Sequence, residues 1–191
     1  MLTVSADTKP EEQSDAHLVQ RCLKGDRQTF RVLYQRHQHK VRSTLYQLCG
    51  ASVLDDLVQD VFLRTWKGLP KLKNPKHFST WLYRITWNVA TDRREKFAKQ
   101  RSQLETLKNN PDSTTSDSSD LIHLHYQDLV KRGLAELSFD HRTVLVLHDL
   151  EDLPQKQVAE ILELPVGTVK SRLFHARAAM RKFLQQQGVQ L

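Results

Sequence analysis

Between Thr168 and Leu184 the chain carries Lys170, Arg172, Arg177, Arg181 and Lys182 and no acidic residue, whereas Glu136 to Glu163 just before hold seven acids and two basic side chains. A basic stretch segregated in this way is what neutralising a line of phosphates requires. Its apolar residues fall at Val169, Leu173, Ala176, Met180 and Leu184, the spacing of one buried helical stripe. Thr168, Lys170, Ser171, Arg172, His175 and Arg177 are left on the other faces. Upstream, Val158, Ile161 and Leu162 form the inward stripe of a shorter helix, and Ala159 is small enough to let a second helix cross closely. With Glu163-Leu164-Pro165 as the turn, Gln155 to Leu184 reads as a helix-turn-helix whose second helix lies against DNA. Glu163 stands where such turns usually hold glycine, so a left-handed backbone there costs about 1 kcal/mol. Gly167 lets backbone N–H groups come close to a phosphate.

A second patch combines aromatic and basic chemistry. Seven of the 14 aromatic residues fall between Phe62 and Phe97, and residues 64–99 carry ten basic side chains against two acids. Projected at 100° per residue, a helix from Ser79 to Lys99 turns Phe78, Leu82, Ile85 and Val89 inward. Tyr83, Trp87 and Arg94 then point the opposite way, with Arg84 and Asn88 on one flank. Rings interleaved with cations suit stacking on unpaired bases while phosphate is neutralised.

Other chemistries find no support. His37 and His39, like His123 and His125, are two residues apart and diverge by about 200° on a helix, so neither pair chelates a metal. No glycine-rich phosphate loop, nucleophile elbow or paired catalytic carboxylates occur, so no catalytic residue, metal or cofactor is expected and the chain is not expected to be an enzyme. Cys22 and Cys49 have no metal or redox spacing and read as reduced thiols in helical segments. The first fifteen residues lack a basic stretch leading into an apolar one, and no run approaches membrane-spanning length. These features argue against secretion and membrane insertion and for a cytoplasmic protein.

The elements that must position these patches are helical throughout. Apolar residues recur at spacings of three and four, glycine is scarce, and 191 residues with 39% hydrophobic content suit two modest cores better than one. A short helix from about Asp15 stops near Leu23 before Gly25. Asp26 caps a long helix with Phe30, Tyr34, His37, Val41, Leu45 and Leu48 on one stripe, ended by Gly50. Ser52 with Asp55 resembles a capping box opening a helix to about Lys67, with Leu54, Leu57, Val58, Val61, Phe62 and Trp66 inward. Gly68 and Pro70 break it, and the long Ser79–Lys99 helix completes a first module. Residues 109–120, NNPDSTTSDSSD, contain nothing apolar and read as a tether. Taken as 98–119, the linker reaches roughly 70–80 Å when extended. A helix from Leu121 to Leu137, another capped by Ser138 to about Leu150, and the helix-turn-helix make a second module. The expected division is therefore a tail at 1–14, a first module at 15–97, a linker at 98–120 and a second module at 121–187, all-α. The formal charge of +7 divides as +8 over residues 1–100, −2 over 101–125 and +1 over 126–191.

The runs DDLVQDVFLRTW, FSTWLYRITWNVATDRRE and LPVGTVKSRLFHAR occur in that order, and HLVQRCLKGDRQTFRVLYQRH precedes them. Together they closely resemble the extracytoplasmic-function class, group 4, of bacterial sigma-70 family factors, over nearly the whole chain except the first dozen residues and the tether. The resemblance implies that Asp55, Asp56, Gln59 and Asp60 dock on the clamp coiled coil of core RNA polymerase. It implies that the loop from Leu69 to His77, with Lys73 and Asn74, and the helix bearing Trp81, Tyr83, Arg84, Trp87 and Asn88 read and melt the −10 element. It assigns Thr168, Lys170, Ser171, Arg172, His175 and Arg177 to the −35 element, His175 standing where the family often has arginine. Promoter DNA, core polymerase and an anti-sigma factor are the implied partners. Two other functions fit the motifs less fully: a stand-alone helix-turn-helix regulator with a sensing or dimerising first module, and an adaptor binding a protein through the acid-rich helix.

Overall fold

The computed structural model describes residues 13–104 and 121–190, and helices with their turns account for nearly all of them. Ser14 opens α1 (Asp15–Leu23) by accepting a hydrogen bond from the His17 amide. Asp26 caps α2 (Arg27–Cys49) by accepting from the Thr29 amide at Oδ1, while its Oδ2 accepts from the Thr29 hydroxyl and from Arg21. These bonds favour the carboxylate and hold the Asp26 pKa down to about 2. Asp15 anchors α1 to α2, accepting from Arg36 at 2.6 Å and meeting His37 Nε2 at 2.8 Å. Burial pushes the Asp15 carboxyl upward, but those bonds outweigh it and leave its pKa below the ordinary value.

Helix α3 (Leu54–Gly68) departs from the expected start. Ser52 and Asp55 form no capping box: Val53 precedes the helix in a left-handed conformation at φ 60°, with no side-chain cap, and the Asp55 carboxylate pairs with Arg42 on α2. The buried side chains are Leu54, Leu57, Val58, Val61, Phe62 and Thr65, whereas Trp66 is exposed. On α2 the stripe turns so that Leu33 is fully buried, while Tyr34 is exposed and Phe30 is half-buried. Two short 3-10 turns, Leu69–Lys71 and Pro75–His77, connect α3 to α4 (Phe78–Leu104). Thr44, Thr65 and Thr86 are buried inside helices at no hydrogen-bond cost, because each hydroxyl donates to the carbonyl four residues earlier.

α4 runs to Leu104, so residues 98–104 are helix where a linker was expected. The tether's remaining residues, 105–120, lie outside the described residues, as do residues 1–12, most of the expected tail. The second half comprises α5 (Leu121–Glu136), α6 (Phe139–Leu145) capped by Ser138, a π-type turn over Val146–Leu150, α7 (Gln155–Leu162) and α8 (Val166–Gln186). Of the expected α8 stripe, Val169, Leu173 and Ala176 are buried, and Met180 and Leu184 are partly covered.

The two halves are not separate bodies in this structure. Leu134, Leu137, Leu145, Val146 and Ala176 join the same apolar cluster as Leu33, Leu45 and Leu48 of the first half. Arg142 on α6 donates to the Leu48 carbonyl at the end of α2, and the Arg94 guanidinium lies over the Phe139 ring. Among the described residues, no helix is long and apolar enough to cross a membrane.

Candidate nucleic-acid interface

On α8 the polar face is open. Lys170, Ser171 and His175 are exposed, Thr168 is half-buried at the first turn, and Phe174 is 71% exposed among them. At 100° per residue, Ser171 lies opposite the buried stripe with His175 beside it, while Lys170, Phe174 and Arg181 form one stripe on the Arg177 side of the open face. Arg172 and Arg177 fall at the two borders of this face, about 220° apart across it on the same projection. Each meets an acid of the preceding segment. Arg172 pairs with Asp140 at 2.8 Å, and Arg177 holds both oxygens of Asp149, at 2.9 and 2.5 Å. The bonds from Asp149 raise the Arg177 pKa. His175 stacks near His141 with ring centroids 6.1 Å apart. A cationic helix surface with one exposed ring among its polar side chains can enter a major groove, its borders fixed by side chains already oriented.

The turn before α8 has the backbone that the sequence required. Glu163 ends α7 at φ 55° and ψ 41°, a left-handed conformation for a residue that is not glycine. Gly167 is exposed with nothing within 4 Å of the place a Cβ would occupy, so packing does not demand glycine there.

The α4 face differs from expectation. Phe78, Leu82 and Val89 point into the core as projected, and Ile85 is half-buried. Tyr83 does not face solvent: it is 5% exposed, because α7 lies across it. Its hydroxyl donates to Glu151 at 2.9 Å, and its ring belongs to the cluster of Val158, Ile161, Leu162 and Leu173. Burial first, and then the Glu151 carboxylate, push the phenol pKa far above its usual value, so Tyr83 is the donor in this bond. Trp87 packs on the same cluster beside Leu164 and Val166. Arg84 is half-buried and bound to Glu163, Asn88 is exposed, and Arg94 is exposed over Phe139. The projection located this face correctly within the first module, but periodicity within one helix carries no information about a second module covering it.

Trp81 sits at the start of α4 with its ring against Gly68. A Cβ on that glycine would stand 2.9 Å from the indole, so the close approach of ring to backbone depends on glycine there. Lys73 is exposed in the connecting loop, and the Asn74 side chain is committed to the Lys76 amide at 3.1 Å.

On α3, Asp55, Asp56 and Gln59 are exposed, with Asp55 paired to Arg42. Asp60 is half-buried in a brace: Arg64 binds it at 2.9 Å and reaches Asp92 of α4 at 2.7 Å. These bonds raise the Arg64 pKa. Sequence reasoning stressed the acids and missed an apolar groove beside them, lined by Phe30, Tyr34, Phe62, Leu63 and Trp66. Leu63 is 49% exposed and Trp66 is 37% exposed. Their spacing from Gln59, at i+4 and i+7, was the available signal.

Among the described residues, no group of three or more His, Cys, Asp or Glu side chains is arranged to hold a metal ion. His37 is buried on Asp15 while His39 is exposed, so that pair diverges; the side chains of His123 and His125 lie outside the described ones.

Residues 33–101 match the family model for sigma-70 region 2, and residues 127–180 match that for sigma-70 region 4. The extracytoplasmic-function RNA polymerase sigma-E factor of Escherichia coli K12 is 30% identical over an alignment covering 92% of this chain and 96% of that protein. The chain belongs to the extracytoplasmic-function sigma factors. A second sigma-E factor, from Haemophilus influenzae, is 27% identical over 92% of this chain and 97% of its own. The fold is shared with CnrH in complex with the cytosolic domain of CnrY, at a TM-score of 0.69 and 24% identity over 91% and 99% of the two chains. It is also shared with the sigma factor RpoE in complex with the anti-sigma factor NepR from Bartonella quintana, at a TM-score of 0.65 and 23% identity over 82% and 96%. This sigma factor is thus a subunit that binds core RNA polymerase and directs initiation at promoters, and the stand-alone regulator is not the favoured alternative.

Proposed function

We propose that the two halves of this sigma factor divide promoter recognition. Residues 121–187 read the −35 element as duplex through Thr168, Lys170, Ser171, Arg172, His175 and Arg177. Residues 15–97 bind the clamp coiled coil of core polymerase and engage the −10 element as it opens. The observation that carries this reading is the open cationic face of α8, set opposite a packed stripe in a chain of this family. Phe174, exposed on that face, offers an apolar contact for a thymine methyl group. Arg172 and Arg177 exchange Asp140 and Asp149 for base edges or phosphates on binding.

On the first half, Asp55, Asp56 and Gln59 with the neighbouring apolar groove make the docking edge, where exposed rings bury and acids set register. Asp60 contributes there while bracing Arg64. Lys73 and Asn74 of the loop, with Trp81, Tyr83, Arg84, Trp87 and Asn88, contact the −10 strand, stacking on displaced bases. Catalysis belongs to the polymerase, so the chain alone has no activity, and its place of work is the cytoplasm, where polymerase is. The solved structures of CnrH with CnrY and of RpoE with the anti-sigma factor NepR support an anti-sigma partner for this chain as well.

The test is run-off transcription with core polymerase on a promoter obtained by binding-site selection with the holoenzyme. Promoter-dependent transcript and two conserved elements in the selected DNA are expected. A folded chain that fails to bind core polymerase overturns the proposal.

A further inference from the structure

His175 is exposed, yet its ring is held between two others. The His141 ring of α6 lies alongside it, with centroids 6.1 Å apart and planes 27° from parallel, and the Phe174 ring meets it edge-on at 5.4 Å. His141 is half-buried in the first turn of α6, where its amide donates to the Ser138 hydroxyl. One residue earlier, Asp140 holds Arg172, which stands three residues before His175 and therefore on the same side of α8. Two imidazoles and one carboxylate–guanidinium pair thus share the crossing of α6 with α8, at the border of the open face. Along α8 the residues one turn from His175 are Ser171, Arg172, Ala178 and Ala179, of which only Arg172 is charged. Arg142, next to His141, turns to the carbonyls of Leu48, Ala135 and Leu137. The paired charges of the other helices packed on α8 go elsewhere: Asp128 of α5 to Arg132, Lys131 to the Tyr46 ring, and Glu160 and Glu163 of α7 to His77 and Arg84.

We propose that His141 is a positioning residue of the −35 reader, holding His175 so that the duplex is bound together with one proton. The proposal rests on the assignment of the α8 face to the −35 element. Histidine is the side chain whose charge ordinarily changes between pH 5 and 8. A neutral imidazole offers DNA one donor, whereas an imidazolium offers two and a positive charge. In the unbound chain the surroundings oppose that charge: the second imidazole and Arg172 are both cationic or become so, and Asp140 is already neutralised by Arg172. DNA reverses the balance. Phosphates come to the open side of His175, and Arg172, in turning to the duplex, leaves the Asp140 carboxylate uncovered beside the ring pair. Both anions favour the charged ring. The two flanking rings restrict His175 to one orientation before DNA arrives, which lowers the ordering cost of the contact. An arginine at this position would carry its charge at every working pH, whereas histidine makes the same contact depend on the medium. The protonated chain is the tighter binder, so −35 affinity rises as pH falls from 8 to 6 and is lost as pH rises.

The experiment measures binding of the holoenzyme to a fluorescent −35 duplex, obtained by selection with the holoenzyme, at pH 6, 7 and 8 and constant ionic strength. Wild type should tighten about three- to tenfold from pH 8 to pH 6, the gain of one charge-assisted contact over a neutral one. His175→Arg should bind with a flat profile, which removes titration elsewhere in the holoenzyme as a cause, and His175→Gln should be flat and weak. His141→Ala should lose most of the gain, while His141→Phe, which keeps a ring but cannot titrate, should retain it. A flat wild-type profile, or a slope that survives in His175→Gln, overturns proton uptake at His175. A His141→Phe profile as flat as that of His141→Ala overturns the positioning role, because titration of His141 itself would then be the source. Arg172→Ala measured alongside tests the underlying assignment: if it leaves duplex binding unchanged at every pH, the −35 reading of α8 fails. Weakened binding by Arg172→Ala with a flat wild-type profile refutes the proton alone.

Discussion

Helices α4 and α8 carry nearly the same equipment, aromatic rings among cations on the side away from a packed stripe, yet one face is covered and the other is open. On α8 the acids Asp140 and Asp149 hold only the border arginines and leave Lys170, Phe174 and His175 in solvent. On α4, Glu151, Glu160 and Glu163 come with a whole apolar surface, and Tyr83 disappears beneath it. Two acids at the edges orient a binding surface, whereas three acids backed by an apolar helix occupy one.

The largest expected effect tests whether the two faces share a core. Ile161 is fully buried in the cluster that includes Tyr83, so Ile161→Ala should cost about 2–5 kcal/mol. Calorimetry should show a single transition moved down. Two transitions, with the one belonging to residues 15–97 unmoved, would mean that the halves unfold independently. Next come the paired losses of the two faces. Trp87→Ala should slow promoter opening by roughly 5- to 150-fold, as expected for about 1–3 kcal/mol of base stacking, and a pre-melted template should restore most of it. Arg172→Ala should weaken holoenzyme binding by about 1–3 kcal/mol and relax preference in the −35 element, with no rescue by pre-melting. Identical behaviour of the two variants would erase the distinction between a strand-binding and a duplex-reading helix. The smallest effect is Asp149→Asn. Its pair with Arg177 is half-exposed, so freeing the guanidinium should tighten binding to −35 duplex by less than about fivefold. A steeper salt dependence should accompany the gain.

Helix identities, the turn at Glu163 and the open face of α8 were legible because each follows from local spacing and charge. The start of α3 was not: Ser52 and Asp55 have the right spacing for a capping box, but Asp55 is taken by Arg42, thirteen residues earlier. The stripe on α2 was displaced for a related reason, since Tyr34 and Phe30 turn toward the groove beside α3 while Leu33 fills the core. The burial of Tyr83 depends on a contact across 68 residues with Glu151, and no periodicity within α4 could reveal it. Local pattern thus fixes which side of a helix is apolar, and long-range packing decides whether the polar side meets solvent.

The groove of Phe30, Tyr34, Phe62, Leu63 and Trp66 remains uncovered while α4 is covered. Under the assignments proposed above, this imposes an order of events: the closed chain can be recruited before it can touch a promoter strand. Recruitment is then limited by diffusion and charge, and the cost of parting the halves falls on the later step. Variants that loosen α7 from α4 would leave the association rate with polymerase nearly constant and shorten the delay before the first transcript.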